Sequence, residues 1–169
     1  MRASINNKYI VLLLLVVVFL TQMLFYYPRL PDRMATHFGA SGVADAWQSK
    51  TFFVLFESIM LIFVMVSVVL VPAICLKYLP DELVRLPNKE YWFAAERRDA
   101  TRKKIHGMML PFAIVVLIFF ICGSQLVINA NLDGSGKIDN CSMYMLLVAL
   151  LIFVVLWIYR LCRMWAMPK

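Results

Sequence analysis

The chain has 169 residues, of which 63% are hydrophobic and only 16% are charged, and it carries a net charge of +7. Soluble domains average about 45–50% apolar and about 25% charged residues, so this composition excludes an ordinary soluble domain. It predicts an integral membrane protein instead.

Four long apolar runs account for this composition. A helix needs about 20 mainly apolar residues to cross the hydrocarbon core of a bilayer, whereas the strands of a membrane barrel give weaker runs of about ten. The sequence therefore predicts an all-α integral membrane protein with four transmembrane helices, over residues 9–27, 52–76, 107–128 and 142–161. Because these runs leave no room for a soluble domain, residues 1–169 are interpreted as one membrane domain.

The distribution of positive charge predicts the orientation. Thirteen of the 17 lysines and arginines lie before the first run, between the second and third runs, or from residue 160 to the C-terminal end. The positive-inside rule then places both termini and residues 77–106 in the cytoplasm. Contact with anionic lipid explains the net charge, so a nucleic-acid partner is not expected. The first run ends without a small-x-small cleavage pattern and is predicted to be retained as an anchor.

The first polar loop, residues 28–50, combines two glycines with His37, Asp45 and Trp47, which predicts a defined shape facing outward. Recognition is the role predicted for seven of its residues: Pro31, His37, Phe38, Gly42, Asp45, Trp47 and Lys50. Three interpretations of His37 with Asp45 stay open: a hydrogen bond within the loop, sensing of pH or ligand because histidine charges near neutrality, and a metal site. Even with Glu57, the metal site would have only three ligands.

Polar side chains lie at a similar depth in the first three runs. Glu57 is the only acidic residue within any run, and a carboxylate in lipid is costly unless it faces the bundle, a partner or water. We expect Gln22, Glu57 and Gln125 to converge beneath the first loop. They would form either a polar pocket for an ion, a proton or a headgroup, or hydrogen bonds between helices.

Proline interrupts two of the runs near their predicted cytoplasmic ends, at Pro72 and Pro111. Proline removes a backbone donor, which predicts two kinked helices packed together. Matched breaks in two spans are also found at transporter sites, so this second interpretation stays open.

The segment before the third run predicts a cytoplasmic amphipathic helix. Asn88 is a favourable N-cap, and residues 91–104 combine an aromatic cluster with many basic residues, as in a helix that lies among lipid headgroups. The alternative is an ordinary aromatic and basic belt at the membrane surface. A partner-docking surface is predicted from five residues: Asn88, Tyr91, Trp92, Arg97 and Arg98.

The last polar loop resembles the start of an EF-hand calcium loop. Oxygen ligands fall at Asn131, Asp133, Ser135 and Asp139, with a glycine at the sixth position. Ser142 stands where the bidentate glutamate is expected, which weakens the calcium prediction. A tight polar turn would use the same residue types, so both interpretations stay open.

No nucleophile with an adjacent base, no phosphate cradle and no cofactor motif is visible in the sequence. We therefore expect a protein that is not an enzyme and that uses no cofactor.

Two segments carry a family resemblance. The pattern Leu30-Pro31, Thr36-His37-Phe38, Gly42, Asp45, Trp47 and Ser49-Lys50 resembles the N-terminal domain of unknown function of SdpI-like bacterial membrane immunity proteins. The run Leu86-Pro87-Asn88-Lys89-Glu90-Tyr91-Trp92, followed by Glu96-Arg97-Arg98, is similar to a cytoplasmic motif of stand-alone members. Gly39 stands where the family often has Asn, and Ala95 where it often has Pro.

The resemblance implies a multi-pass protein of the bacterial inner membrane that acts in recognition, signalling or immunity, with a membrane protein or peptide as its partner. The additional C-terminal membrane region of longer members, which goes with toxin immunity, has no counterpart in these four spans. The alternatives are an accessory subunit of a larger membrane assembly and a small ion- or proton-linked transporter component that uses Glu57.

Overall fold

The computed structural model describes the backbone of residues 2–166 and the side chains of residues 7–166. Arg2 and Lys169, which contribute to the positive charge of the two predicted cytoplasmic termini, therefore lie outside the described side chains. Within the described residues, four helices are long and apolar enough to cross a membrane. The predicted helical chain with four membrane-length helices is thus confirmed.

The described residues form six α-helices, two strands and short 3-10 turns at residues 27–29 and 81–83. In chain order the main elements are α1 (Arg2–Tyr26), β1 (Arg33–Phe38), β2 (Ala44–Ser49), α2 (Lys50–Met65), α3 (Val71–Tyr78), α4 (Lys89–Trp92), α5 (Arg98–Leu132) and α6 (Asn140–Met164). Each membrane-length helix extends beyond its predicted span at one end or at both.

A wide π turn over residues 66–70 joins α2 and α3 into one span. In this turn the Val71 N–H donates to the Val66 carbonyl, five residues back. Pro72 follows directly, and because a proline ring crowds the preceding turn, the wider turn gives it room. At Pro72 the predicted break therefore takes the form of a widened turn.

The core of the bundle lies along α5, whose buried side chains repeat every three or four residues and face α1 and α2. Leu110, Leu117 and Ile128 of α5 are at most 1% exposed, and Phe19 of α1 is fully buried beside them. This spacing is typical of a helix that packs on its neighbours along one stripe. In contrast, no residue of α6 between Asn140 and Met164 is buried, so α6 lies at the edge of the bundle.

Two expectations need correction. The fold is not purely α-helical, because β1 and β2 form an antiparallel hairpin in the first loop. The amphipathic helix predicted over residues 91–104 is also not a separate element. The short α4 ends at Trp92, and residues 98–104 form the first two turns of α5.

The two ends of the bundle differ in construction. The hairpin end carries β1 and β2 together with the α5–α6 loop, and the basic end is where α3 ends and α5 begins. Candidate functional residues occur at both ends.

Candidate functional site

The hairpin at the first end has a defined tip. Strand pairing runs from Arg33 opposite Ser49 to Phe38 opposite Ala44. At the tip, the Gly42 N–H donates to the Gly39 carbonyl at 2.8 Å, and Gly42 has a φ of +78°. Glycine adopts this left-handed conformation without steric cost.

The α5–α6 loop pairs with the hairpin through main-chain hydrogen bonds. The Ala44 N–H donates to the Gly136 carbonyl at 2.9 Å, and the Ile138 N–H donates to the Gly42 carbonyl at 2.9 Å. Residues 30–49 and 133–140 therefore form one unit, which we call the hairpin cap.

The contact at Gly42 is close. A Cβ atom placed on Gly42 would lie 2.1 Å from Asn140 Oδ1 and 3.0 Å from the Ile138 carbonyl oxygen. The Asn140 amide also donates to the Ser41 carbonyl at 3.0 Å. Position 42 therefore needs glycine both for its backbone conformation and for space.

Asn131, at the end of α5, attaches the hairpin to the bundle. Its side-chain oxygen accepts the Ala35 N–H at 2.7 Å, and its amide donates to the Ala35 carbonyl at 2.9 Å and to the Val127 carbonyl at 2.8 Å. Ala35 is only 2% exposed. The side chain thus pairs with β1 as a neighbouring strand would.

The underside of the hairpin cap is apolar and buried. Five of its side chains are at most 7% exposed: Leu30, Met34, Ala35, Ala44 and Ile138. Since apolar burial and main-chain hydrogen bonds both hold the unit down, its exposed face is presented on a fixed support.

That exposed face contains three of the seven residues predicted from the first loop for recognition. His37 Nδ1 and Asp45 Oδ1 lie 2.5 Å apart, and their side chains are 72% and 54% exposed. Trp47 is 45% exposed and flanks a shallow depression together with Arg33. Of the three interpretations, the structure therefore shows the hydrogen bond between His37 and Asp45.

The other four residues of that prediction are placed differently. Pro31 is exposed, Phe38 is half-buried and Gly42 is buried at the tip. Lys50 forms an ion pair with Asp32, with 2.9 Å between Nζ and Oδ1. Gly42 and Lys50 therefore help to hold the shape of the hairpin cap.

The predicted polar residues inside the membrane form two pairs. Gln22 of α1 donates to the Gln125 side chain of α5 at 2.8 Å. Glu57 of α2 instead accepts a hydrogen bond from the hydroxyl of Ser124, which is buried. Of the three residues expected to converge, Gln22 and Gln125 bond to each other, whereas Glu57 bonds to Ser124, the residue next to Gln125. His37 and Asp45 bond to each other and to neither pair.

The calcium candidate residues have protein partners. Asn131 is turned toward β1, and Asp133 Oδ1 accepts the Ser135 N–H at 2.8 Å, which holds the pKa of Asp133 below its ordinary value. Asp139 caps α6 and accepts the Ser142 hydroxyl at 2.5 Å, and hydrogen bonds from Ser142 lower its pKa. Among the described residues, no group of three His, Cys, Asp or Glu side chains is placed to hold a metal. The side-chain oxygens of Asp133 and Asp139 thus accept hydrogen bonds within the turn and at the start of α6.

At the basic end, Arg102 ties α5 to the end of α3. Its guanidinium donates to the Leu76 carbonyl at 2.6 Å, the Leu79 carbonyl at 2.7 Å and Asp81 Oδ1 at 2.6 Å. Arg98 pairs with the second oxygen of Asp81, also at 2.6 Å. The hydrogen bond from Arg102, assisted by both positive charges, lowers the pKa of Asp81. Carbonyls at the end of a helix have no N–H donor within the helix, and the guanidinium of Arg102 donates to them instead.

Trp165, just after α6, is the centre of a second group at the basic end. Its carbonyl accepts the Asn88 amide at 3.0 Å and the Trp92 indole N–H at 3.2 Å. The Trp92 and Trp165 rings meet edge-on at 5.3 Å, and the Lys104 ammonium lies over both rings. Asn88 has a φ of +54° and makes no side-chain cap to α4, so the predicted capping role is wrong.

The five residues predicted as a free docking surface therefore have internal partners. Asn88 and Trp92 bond to Trp165, Arg97 stacks on the Tyr91 ring at 4.0 Å, and Arg98 pairs with Asp81. Aromatic and basic residues in this arrangement stabilise the end of the bundle.

Arg102, Trp165 and Asn140 are connecting residues that the sequence reasoning missed. Arg102 had no distinguishing signal within a run of basic residues. Asn140 stands next to the Asp139 cap, and only the pairing of two distant loops gives it a partner at Ser41.

Residues 10–62 match a family described as a domain of unknown function (DUF1648). The matched segment contains most of α1, the hairpin and most of α2. No curated protein and no solved structure matches the chain. A domain of unknown function in this part of the chain, as expected from the residues of the first loop, is confirmed.

Proposed function

We propose that this chain is a non-enzymatic, multi-pass protein of the bacterial inner membrane, of the SdpI-like group, that recognises a partner through its hairpin cap. The partner would be a membrane protein or a peptide, in a signalling or immunity-like role. The observation that carries the proposal is the exposed His37–Asp45 pair beside Trp47 on a fixed support.

The chemistry of that surface suits recognition. Tryptophan and arginine are enriched among residues that dominate binding energy, and Trp47 and Arg33 flank the same depression. Pairing between β1 and β2 holds the backbone of both residues before any partner arrives. A surface ordered in advance loses less conformational entropy on binding.

The proposal requires the hairpin cap to face outward, with both termini inside. The distribution of lysine and arginine supports this orientation, since most of them belong to the basic end or to the segments beside it. A reporter enzyme that is active only in the cytoplasm should be active after Lys169 and inactive after Ser41. The reverse pattern would refute the outward cap.

Photo-crosslinking in intact cells tests recognition. A crosslinking amino acid at Trp47 should capture one defined partner, and one at Tyr144, a comparably exposed aromatic residue on α6, should not. Capture at position 47 should fall several-fold when His37 is also changed to Ala. Equal capture at 47 and 144, or capture that His37→Ala does not alter, would contradict recognition by this surface.

A second candidate function is an accessory subunit of a larger membrane assembly. The observation that favours it is α6, which has no buried residue and exposes large apolar side chains such as Leu151 and Val155. Purification in mild detergent should then give a stoichiometric complex that Leu151→Asn with Val155→Asn disrupts. If the complex depends on Trp47 instead, recognition by the hairpin cap is favoured.

Transport through Glu57 is the remaining alternative, and the Glu57–Ser124 hydrogen bond gives this carboxyl a partner between helices. Proton-linked uptake into vesicles that is lost in Glu57→Gln would favour transport. If uptake is unchanged, the role of Glu57 is to connect α2 with α5.

A further inference from the structure

Pro111 in α5 leaves a carbonyl without its helical donor, and a lysine supplies one. A proline removes the hydrogen bond to the carbonyl four residues earlier, which is that of Gly107. Lys8 of α1 donates from Nζ to this carbonyl at 3.0 Å. In the next position, the Met108 carbonyl accepts the Trp157 indole N–H of α6 at 3.4 Å. Three helices therefore meet at polar contacts around Pro111.

A cleft of about 400 Å³ lies at this meeting point. Lys8 and Arg160 provide its positive charge, and Phe153, Leu156 and Trp157 of α6 provide apolar walls. No acidic side chain lines the cleft among the described residues. It thus combines cations with an apolar wall, and its volume lies within the common range for ligand sites of about 300–1,000 Å³.

The positions of the two cations match the depth of lipid headgroups. Lys8 immediately precedes the first apolar run, and Arg160 lies at the end of the fourth. Long basic side chains at the ends of membrane helices direct their charge to the interface while their stems stay in the apolar region. The apolar wall formed by α6 then continues from the cations toward the hydrocarbon.

Both cations can bind a further group. A lysine ammonium has three donors, and Gly107 uses one of those on Lys8. Arg160 is exposed and takes part in no ion pair found among residues 7–166. The cleft therefore holds two cations whose remaining donors are available to a ligand.

We propose that this cleft binds one anionic phospholipid, with its phosphate between Lys8 and Arg160 and an acyl chain along Phe153 and Leu156. Basic pockets between membrane helices at the cytoplasmic side bind anionic headgroups, and the planar guanidinium matches a phosphate with two parallel hydrogen bonds. The lipid would connect α1 to α6, which packs at the edge of the bundle. This inference does not depend on the partner proposed for the hairpin cap.

Native mass spectrometry of the full chain in detergent tests the proposal, with phosphatidylglycerol and phosphatidylcholine as matched probes. We expect one phosphatidylglycerol to remain bound to each chain and phosphatidylcholine to dissociate. Arg160→Gln should weaken phosphatidylglycerol binding about five-fold, the usual effect of one basic residue near an anionic headgroup. Arg163→Gln, at an exposed position on the same helix that does not line the cleft, should leave binding unchanged.

A second variant tests the apolar wall without removing charge. Leu156→Trp should fill the cleft and reduce phosphatidylglycerol binding, whereas Val155→Trp, on an exposed neighbouring residue, should not. Equal retention of the two lipids, or equal losses in Arg160→Gln and Arg163→Gln, would overturn the proposal. Displacement of the lipid by the same concentration of soluble glycerol phosphate would also overturn it, because the acyl chain would then contribute nothing.

Discussion

The hairpin end and the basic end of the bundle are held together by different groups. At the hairpin end, main-chain groups of two loops pair directly, and Asn131 adds hydrogen bonds to the main chain of β1. At the basic end, long cationic side chains reach across to carbonyls, to Asp81 and to aromatic rings.

This difference decides which residues are free to bind a partner. The hairpin cap uses its main chain for structure, which leaves His37 and Trp47 exposed. At the basic end, Arg97, Arg102 and Lys104 make contacts within the protein. Fewer of its positive charges are therefore available to a partner than the sequence indicates. Positive charge in a sequence predicts a binding surface only where the charges lack partners of their own.

The largest expected effect is at the basic end. Arg102→Ala should lower the free energy of unfolding by about 3 kcal/mol, because two carbonyls at the end of α3 lose a charged donor. Lys103→Ala, at the exposed neighbouring residue, should change it by less than about 0.5 kcal/mol. Unfolding in mixed micelles, followed by circular dichroism, measures both. Equal effects would mean that Arg102 contributes through charge alone.

At the hairpin end, Gly42→Ala should cost about 2–3 kcal/mol, since it combines left-handed backbone strain with a clash against Asn140 and Ile138. Gly134→Ala is the matched control, because Gly134 has a φ of +69° and no atom near the position of its Cβ. The control should cost only about 1 kcal/mol. If both variants lose the same stability by the same measurement, the close contact between the two loops is absent.

Asn131→Ala should cost about 2 kcal/mol, because the buried N–H of Ala35 and two carbonyls lose their partner. Asn140→Ala, which removes a single hydrogen bond to the Ser41 carbonyl, should cost about 1 kcal/mol. Hydrogen exchange at Ala35 gives a second measurement, since its amide should exchange faster in Asn131→Ala alone. Unchanged exchange would show that Asn131 does not hold β1.

The smallest effect is a dependence on pH at the cap of α6. Because the pKa of Asp139 lies below its ordinary value of 3.8 in the folded chain, its stabilising effect is present above that pH and is lost as the pH falls through the lowered pKa. Asp139→Asn caps the helix without titrating in this range. The difference in Tm between the two proteins should therefore narrow below about pH 4. A constant difference would contradict the lowered pKa.

The four spans could be predicted because apolar content over about 20 residues depends on composition alone. The hairpin could not, since residues 33–38 contain few β-branched side chains and the turn lacks an Asn-Gly pair. What stabilises it comes from Asn131 and the α5–α6 loop, which are distant in sequence. A defined shape was predictable from Gly42 and its neighbours, but the strands were not.

The candidate site shows the same limit. The proximity of Gln22 and Gln125 was predictable, because polar side chains at the same depth in a membrane form hydrogen bonds between helices. Whether Glu57 bonds to Ser124 or to Gln125 depends on the rotation of α5 about its axis, which the sequence does not specify. The partners of Arg97 and Arg98 likewise depend on where the chain turns before α5.

The two parts of the hairpin cap are far apart along the chain, since Ser41 and Asn140, which form one of its contacts, are separated by 99 positions. At a synthesis rate of about 5–20 residues per second, the ribosome needs about 5–20 s to supply the second half after it has made the first. During that interval β1 and β2 exist without the Asn131 side chain or the α5–α6 loop. We therefore expect the nascent hairpin to be accessible to chaperones and proteases during that interval, and closure of the hairpin cap to reduce this access.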